Sequence, residues 1–589
     1  MALPILASPP VAFIKTIFPK DRSLSQATWN FNFPRPIQCK ASYKVSNDQN
    51  QTISRRPSKY QPSIWTDDYI QSLSSEYKEE IYGDQRKVLR ETVRMMLCKI
   101  ENELDQLEFI DVLQRIGVSY HFNNEIRDIL DNIYNKQTSK LKKNLHATAL
   151  KFRLLRQHGY DISTDCFVCF QNELCNFKIG QFVDVHGMLS MYEASFHSFE
   201  DETILDEARD FTTNFLKGYL KQNRGNHISL LISHALDLPL NWTISRLEAR
   251  WFISIYEKQE NKNHALLQFA KLDFNILQSK YLEELKCASR WWKGTALGEK
   301  VSFARDRLVE NFVWTVGANF KPDFELFRIG ITKLNALITT IDDVYDLYGT
   351  LEELELFTEA IDRWDLNALD SLPYYMQICF HVVYNFVNEI SFESLKKNEK
   401  YISTPYLKKA WTDLCKAYLI EAKWYYSGYT PTLEEYMANA CITIGAYALF
   451  THGYFLMPHS IKREDLVRLG EDSNIIHLTA IITRLANDHG TYKRENETGD
   501  IPKSNKCYMN ESGASEIEAR DYMKSMMSIL WKKQNKEAQS SSFSQNFIDT
   551  NMNGFRICMF MYQNGDGHSI HDPEIQNRIM SLIFEPIPF

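Results

Sequence analysis

From about residue 65 onward, apolar residues recur three and four positions apart between polar ones, the pattern of amphipathic helices facing a shared core. The stretch RKVLRETVRMMLCKIENELDQLEFIDVLQRIG places Val88, Val93, Met96, Leu97, Ile100 and Leu104 near that spacing. LHATALKFRLLRQHG, ISRLEARWFISIYEK and FNILQSKYLEELKCASRWW repeat it, and Gly117 and Gly159 stand where two of the runs should stop. Asn- and Lys-rich patches around 220–226 and 258–264 read as loops. No repeat of fixed period occurs, which counts against a solenoid. A change of unit is expected near residue 270.

Composition sharpens this picture in four ways. Only 22 Gly and 18 Pro in 589 residues leave few breakers, so the helices should be long. A net charge of −8 argues against a broad basic face, so nucleic acid and anionic membrane are not expected partners. No run reaches the roughly 18 apolar residues that a membrane span needs. The 11 cysteines are odd in number and scattered, which points to reduced thiols. Cys166 and Cys169 form a C-x-x-C with Cys175 nearby, but lack zinc partners or a βαβ context and read as packing residues.

The amino end differs from the rest. Lys15, Lys20, Arg22, Arg35, Lys40 and Lys44 are met by a single acid, Asp21, before Asp48. With no apolar core ahead of a small-residue cleavage site, residues 1–50 read as an organelle transit peptide rather than a secretory signal. A plain disordered tail is the alternative.

Candidate chemistry concentrates in two stretches. LNALITTIDDVYDLYGTLEEL is a hydrophobic helix carrying Asp342, Asp343 and Asp346, with Asp342 and Asp346 one turn apart on one face. Unpaired carboxylates in an apolar helix are costly to bury, and a hard divalent cation would offset them. A solvated acidic stripe is the alternative, which the neighbours Ile341, Val344, Tyr345 and Leu347 make awkward. In IIHLTAIITRLANDHGTYKRE, Asn487, Thr491 and Glu495 fall at i, i+4 and i+8, an all-oxygen set that suits magnesium better than zinc. Arg305, Arg307, Arg484 and Lys503 are placed as phosphate-binding groups, although each alone could be a surface cation. Walker, HExxH and GxSxG motifs are absent. The combination suggests magnesium holding a phosphorylated small molecule.

On these residues the chain resembles the plant terpene synthases, and more closely the angiosperm monoterpene synthases, from about residue 54 to the end. DDVYD at 342–346 matches the family's DDxxD, and Asn487, Thr491 and Glu495 match its second metal motif. Arg55, Arg56 and Trp65 fit its arginine pair, eight residues and tryptophan. RDR at 305–307, the tryptophans at 291–292, and YQNGDG around Tyr562 and Asp566 fit as well.

The resemblance implies an all-α chain of two helical domains. A catalytically silent, α-barrel-like domain would span 51–270, and a class I catalytic bundle 271–589. It further implies three Mg2+ or Mn2+ ions on Asp342, Asp343, Asp346, Asn487, Thr491 and Glu495, Asp343 either as a direct ligand or as a supporting neighbour like Asp488. Arg305, Arg484 and Lys503 would grip the diphosphate, Arg307 would guide it after departure, and Arg55 and Arg56 would help close the site. Trp314 and Tyr562 are candidates to face a carbocation, or else are core aromatics. Asn335, two turns before Asp342, could hold a water or simply pack.

The expected substrate is geranyl diphosphate, ionised to a monoterpene by a monomeric enzyme of the plastid stroma. A sesquiterpene synthase acting on farnesyl diphosphate, or a non-catalytic helical binding protein, are the other readings. A head-to-tail prenyl transferase would want a second DDxxD, which is absent. His489, Lys493-Arg494 and Asn564 depart from the family pattern and bear on product outcome rather than on ionisation.

Overall fold

A computed structural model describes residues 60–136, 144–170, 184–397, 401–470, 473–498 and 501–589, with side chains omitted for 494–498. Every regular element among them is helical. The expected runs appear as Glu79–Lys99, Glu103–Arg115, Leu145–Gln157, Ser245–Tyr256 and His264–Thr295. The first long stretch is two helices rather than one. It breaks at Ile100–Asn102, where the Asn102 side chain accepts from the Leu104 amide at 2.9 Å and caps the second helix. Val93, Leu97 and Leu107 are buried as the period demands, whereas Val88 is 67% exposed. Gly117 ends its helix at φ +76°, and a Cβ there would lie 2.8 Å from that of Ala249, so only glycine fits. Cys166 is half-buried and Cys169 exposed, so the second is not a packing residue.

The chain organises around the 32-residue helix His264–Thr295, which is about 48 Å long at 1.5 Å per residue. It is buried nearly all round because packing reaches it from both halves of the chain. Several of its buried polar residues are therefore matched. Asp273 accepts from the Tyr120 hydroxyl at 2.9 Å and pairs with His121 Nε2 at 2.8 Å. Asn275 exchanges two hydrogen bonds with the backbone of Ile587, and Gln278 donates to the carbonyls of Leu582 and Glu585. The carboxyl-terminal tail is thus fastened to the same helix as the amino-terminal part. Residue 270 lies inside this continuous helix. A smaller second core, built on Phe152, Phe167, Met191, Leu205 and Leu216, belongs to the amino-terminal part alone. No described helix is long and apolar enough to cross a membrane.

Candidate active site

Two long helices in the carboxyl-terminal half each expose one unbroken stripe to a cavity of about 710 Å³. On Glu325–Asp343 the stripe is Phe327, Ile331, Asn335, Ile338 and Asp342. On Asn474–Thr498 it is Thr479, Thr483, Asn487 and Thr491. Spacings of three and four keep each set on one face. Phe327 and Asp342 are then separated by about 22 Å of helix. The cavity is therefore polarised, with carboxylate, amide and hydroxyl oxygens at one end and Phe327, Ile331, Phe450 and Ile557 towards the other. Trp314 and Tyr562 both line it, with ring centroids 6.0 Å apart.

The acidic helix does not run on as the sequence suggested. It passes at Val344–Tyr348 into a single π turn, a feature found frequently at functional sites, and Asp346 sits on that turn. Asp342 and Asp346 still both line the cavity. The turn is held by stacking. The Tyr348 ring lies 3.9 Å from that of Phe303 and 3° from parallel, and Tyr375 packs edge-on at 5.0 Å. Phe303 stands two residues before Arg305, so one aromatic group ties the loop bearing the arginine to the turn bearing the aspartate.

Arg305 is the hub of the polar end. Its Nη2 donates to Asp342 Oδ2 at 2.6 Å, its backbone N and Nε donate to Asp343 Oδ2 at 2.7 and 3.0 Å, and Nη1 reaches Ser569 Oγ at 3.2 Å. Burial opposes its charge, but Asp343, Tyr60 and Asp342 outweigh this and hold the guanidinium well above its ordinary range. Asp343 is 1% exposed and is not among the cavity-lining side chains. Burial raises its carboxyl above the usual range although Arg305 pulls the other way. It positions Arg305, whereas Asp342 and Asp346 remain open to a ligand.

The second motif is braced in the same manner. Arg484 donates to Asn487 Oδ1 at 3.1 Å, Asp488 Oδ1 at 3.3 Å, the Ala440 carbonyl at 3.1 Å and Thr443 Oγ1 at 3.1 Å. Asp488 is fully buried and accepts from the Tyr436 hydroxyl at 2.9 Å and the Ser504 amide at 3.2 Å. That bond fixes the start of Ser504–Ser512 beside Lys503, whose Nζ lies 3.9 Å from Glu421 Oε2. Arg484, Asn487, Thr491, Lys503 and Glu421 all line the cavity. Burial pushes the Tyr562 phenol far above its ordinary range.

Arg307 does not line the cavity. Its Nη2 donates to the carbonyls of Gln61 at 3.0 Å and Ser569 at 2.9 Å. His571 Nε2 meets the Pro62 carbonyl at 2.9 Å, and Trp65 Nε1 donates to Glu310 at 3.2 Å. The segment 60–65 is thereby fastened beside the site, with Tyr60 and Gln61 lining it and the Tyr60 ring 4.9 Å from the Arg305 guanidinium. Arg55 and Arg56 lie outside the described residues, as does the side chain of Glu495. The variant positions His489 and Asn564 face elsewhere, on Arg520 and Glu574.

Sequence reasoning missed His568, whose Nε2 pairs with Asn311 Oδ1 at 3.0 Å, together with Asn311, Glu421 and Tyr418, all of which line the cavity. Glu421 was findable as a carboxylate in an apolar helix. Nothing local distinguishes the other three.

Among the described residues no three His, Cys, Asp or Glu side chains cluster as a self-sufficient metal cage. Of the two motifs, Asp342, Asp346, Asn487 and Thr491 bring two carboxylates, an amide and a hydroxyl to one chamber with Arg305, Arg484 and Lys503. That set fits hard divalent cations whose remaining ligands are oxygens of a bound anion.

The family model for the terpene synthase metal-binding domain matches residues 293–533, and that for the terpene synthase amino-terminal domain matches 64–236. Myrcene synthase from Quercus ilex, named chloroplastic, is 51% identical over 100% of this chain and 99% of its own length. The chain belongs to the terpene synthase family. Two solved terpene synthase structures share its fold. Limonene synthase with 2-fluorolinalyl diphosphate superposes with a TM-score of 0.88 at 41% identity, covering 91% of this chain and 100% of the other. Isoprene synthase from grey poplar, holding three Mg2+ ions and dimethylallyl-S-thiolodiphosphate, gives 0.82 at 40% identity over 89% and 99%. The two-part, all-helical terpene synthase architecture is therefore shared with enzymes solved around diphosphate ligands.

Proposed function

We propose that this terpene synthase converts geranyl diphosphate into a monoterpene. The observation that carries the reading is the polarised cavity, which joins an oxygen- and cation-rich end to an apolar, aromatic one within a single chamber. Arg305, Arg484 and Lys503 receive the diphosphate. Asp342, Asp346, Asn487, Thr491 and Glu495 would hold three Mg2+ or Mn2+ ions, which supply positive charge to the leaving group. The allylic C–O bond breaks with its electron pair leaving on the diphosphate oxygen, and paired, pre-aimed donors stabilise that charge without reorganising. The hydrocarbon cation stays among apolar side chains and the faces of Trp314 and Tyr562, whose ring quadrupoles attract it without capturing it. Loss of a proton gives an olefin, and capture of a water followed by loss of one of its protons gives an alcohol.

Tyr60 and the fastened segment 60–65 help exclude bulk water, and by the family resemblance Arg55 and Arg56 would help close the site. The part from 51 to 270 supports the catalytic part from 271 onward. Residues 1–50 serve as a transit peptide to the plastid stroma, a reading supported by their basic, acid-poor composition and by the chloroplastic name of the myrcene synthase relative. The enzyme acts as a monomer on a small prenyl diphosphate, without nucleic acid.

The test is incubation of protein starting near Arg55 with Mg2+ and, separately, C5, C10 and C15 diphosphates, with volatiles read by gas chromatography and mass spectrometry. Turnover confined mainly to C10 supports the reading, and a preference for C15 replaces it with a sesquiterpene synthase. Silence with all three from folded protein overturns it.

A further inference from the structure

Several apolar side chains of the cavity wall rest on glycines. A Cβ at Gly317 would lie 2.6 Å from Cδ1 of Ile557, one at Gly453 2.8 Å from Cε2 of Phe327, and one at Gly554 2.8 Å from Cζ of Phe450. All three partners line the cavity, and each distance is well inside the roughly 3.5–4.0 Å of ordinary carbon contact. Glycine lowers helix stability relative to alanine, and none of these three has the positive φ that would demand it. Their common property is the room they leave against a wall residue, Gly317 and Gly453 from behind it and Gly554 from beside it on the cavity lining. The Phe450 ring also packs edge-on against Phe547 at a centroid distance of 6.4 Å, so it is already bounded on a second side.

We propose that Gly317, Gly453 and Gly554 are positioning residues for specificity. By letting Ile557, Phe327 and Phe450 withdraw from the chamber, they set the space in which the hydrocarbon of a C10 diphosphate folds before and after ionisation. The inference rests on the prenyl diphosphate reading above, and it assigns the apolar contour to residues behind the wall as well as to those on it. Gly330 supplies an internal control. A Cβ there would meet Leu456 Cδ1 at 2.5 Å, an equally tight contact, but Leu456 does not line the cavity.

The experiment measures kcat/KM for geranyl diphosphate with Mg2+ and the product profile for G554A, G453A, G317A and G330A. It adds the paired variants G554A/F450L, G453A/F327L and G317A/I557V, and melting curves for all. One methylene of misfit in an apolar pocket changes kcat/KM on the order of tenfold, so each single wall variant should lose about that much and shift its product ratios. The paired variants should recover towards the unsubstituted profile. G330A should lower the melting temperature while keeping the product ratios. Unchanged rates and ratios in the folded single variants would overturn the proposal, as would G330A altering products equally. Where a single variant does not fold, its paired variant decides. A folded pair with the unsubstituted profile supports the proposal, and a pair that also fails to fold marks the glycine as purely structural and overturns it there. Silence of the unsubstituted enzyme with geranyl diphosphate would instead overturn the reaction reading, and the inference with it.

Discussion

Replacing Asp343 by asparagine separates metal binding from arginine positioning at the acidic motif. The side chain keeps its shape but loses its charge, and one of its oxygens becomes an amide that cannot accept. In the structure that carboxylate takes Arg305 N at 2.7 Å and Nε at 3.0 Å on one oxygen, while Nη2 lies 3.0 Å from the other. Hydrogen bonds to a charged group contribute about 1.5–3 kcal/mol each, so losing the charge and one acceptor costs about 3 kcal/mol. Asp342, 2.6 Å from Nη2, still compensates the guanidinium, so the protein should fold. If that cost falls on the transition state, kcat drops roughly a hundredfold. The assay is steady-state turnover of geranyl diphosphate at a series of Mg2+ concentrations. Asp343→Asn should keep the Mg2+ half-saturation point of the unsubstituted enzyme within about twofold, because an interaction lost at the transition state leaves ion binding alone. Asp342→Asn and Asp346→Asn should raise it. A shift for Asp343→Asn as large as that for Asp342→Asn would refute the reasoning and make Asp343 a metal ligand.

Three further outcomes are expected. Burial lowers the fully enclosed His452 from 6.5 to about 4, so the unfolded chain takes up a proton that the folded one refuses; stability present above pH 6.5 is lost as pH falls towards 4, by about 3 kcal/mol, and urea titrations of His452→Phe should show a shallower slope there. Tyr348→Ala removes the stack on Phe303 that holds the π turn and should lower kcat about tenfold, the upper end of what an aromatic pair contributes, while Tyr348→Phe retains most activity; equal losses would detach the ring from Asp346. Asn335 lines the cavity among apolar neighbours, so Asn335→Ala should lower any hydroxylated fraction of the product read by gas chromatography, and an unchanged profile makes it a packing amide.

The helices were legible because amphipathic spacing is local, and Asp342 and Asp346 because a carboxylate in an apolar run needs a reason. What sequence could not order was the division of labour between like residues. Arg305 and Arg307 are equivalent in an RDR triplet, yet one faces two aspartates and the other two backbone carbonyls from distant segments. Asp342 and Asp343 are adjacent, and only the helix phase turns one to the chamber and the other to Arg305. His568 and Asn311 meet across 257 positions, a pairing without any local pattern. The helix His264–Thr295 shows the converse limit. Packed from both halves of the chain, it is buried nearly all round, polar residues such as Asp273, Asn275 and Gln278 included, so nothing along it breaks to mark a boundary near 270.

The charges at the polar end also separate function from scaffolding. A buried ion pair is weak support for stability, since well-packed apolar residues of the same volume often do as well or better. Arg328 and Glu284, 0% and 3% exposed and 2.6 Å apart, are set away from the cavity lining, and Arg328 also satisfies the carbonyls of Asn319 and Lys321. That pair closes on itself and serves the backbone. Arg305 with Asp342, and Lys503 with Glu421, are arranged differently, because both partners of each line the chamber. Each pair holds its charges in place while leaving one side of both groups facing the cavity. Asp343 and Asp488, buried behind them, carry the cost of keeping Arg305 and Arg484 aimed. A pair retained for stability gains nothing from an open face, whereas a pair retained to meet an anion and its cations requires one.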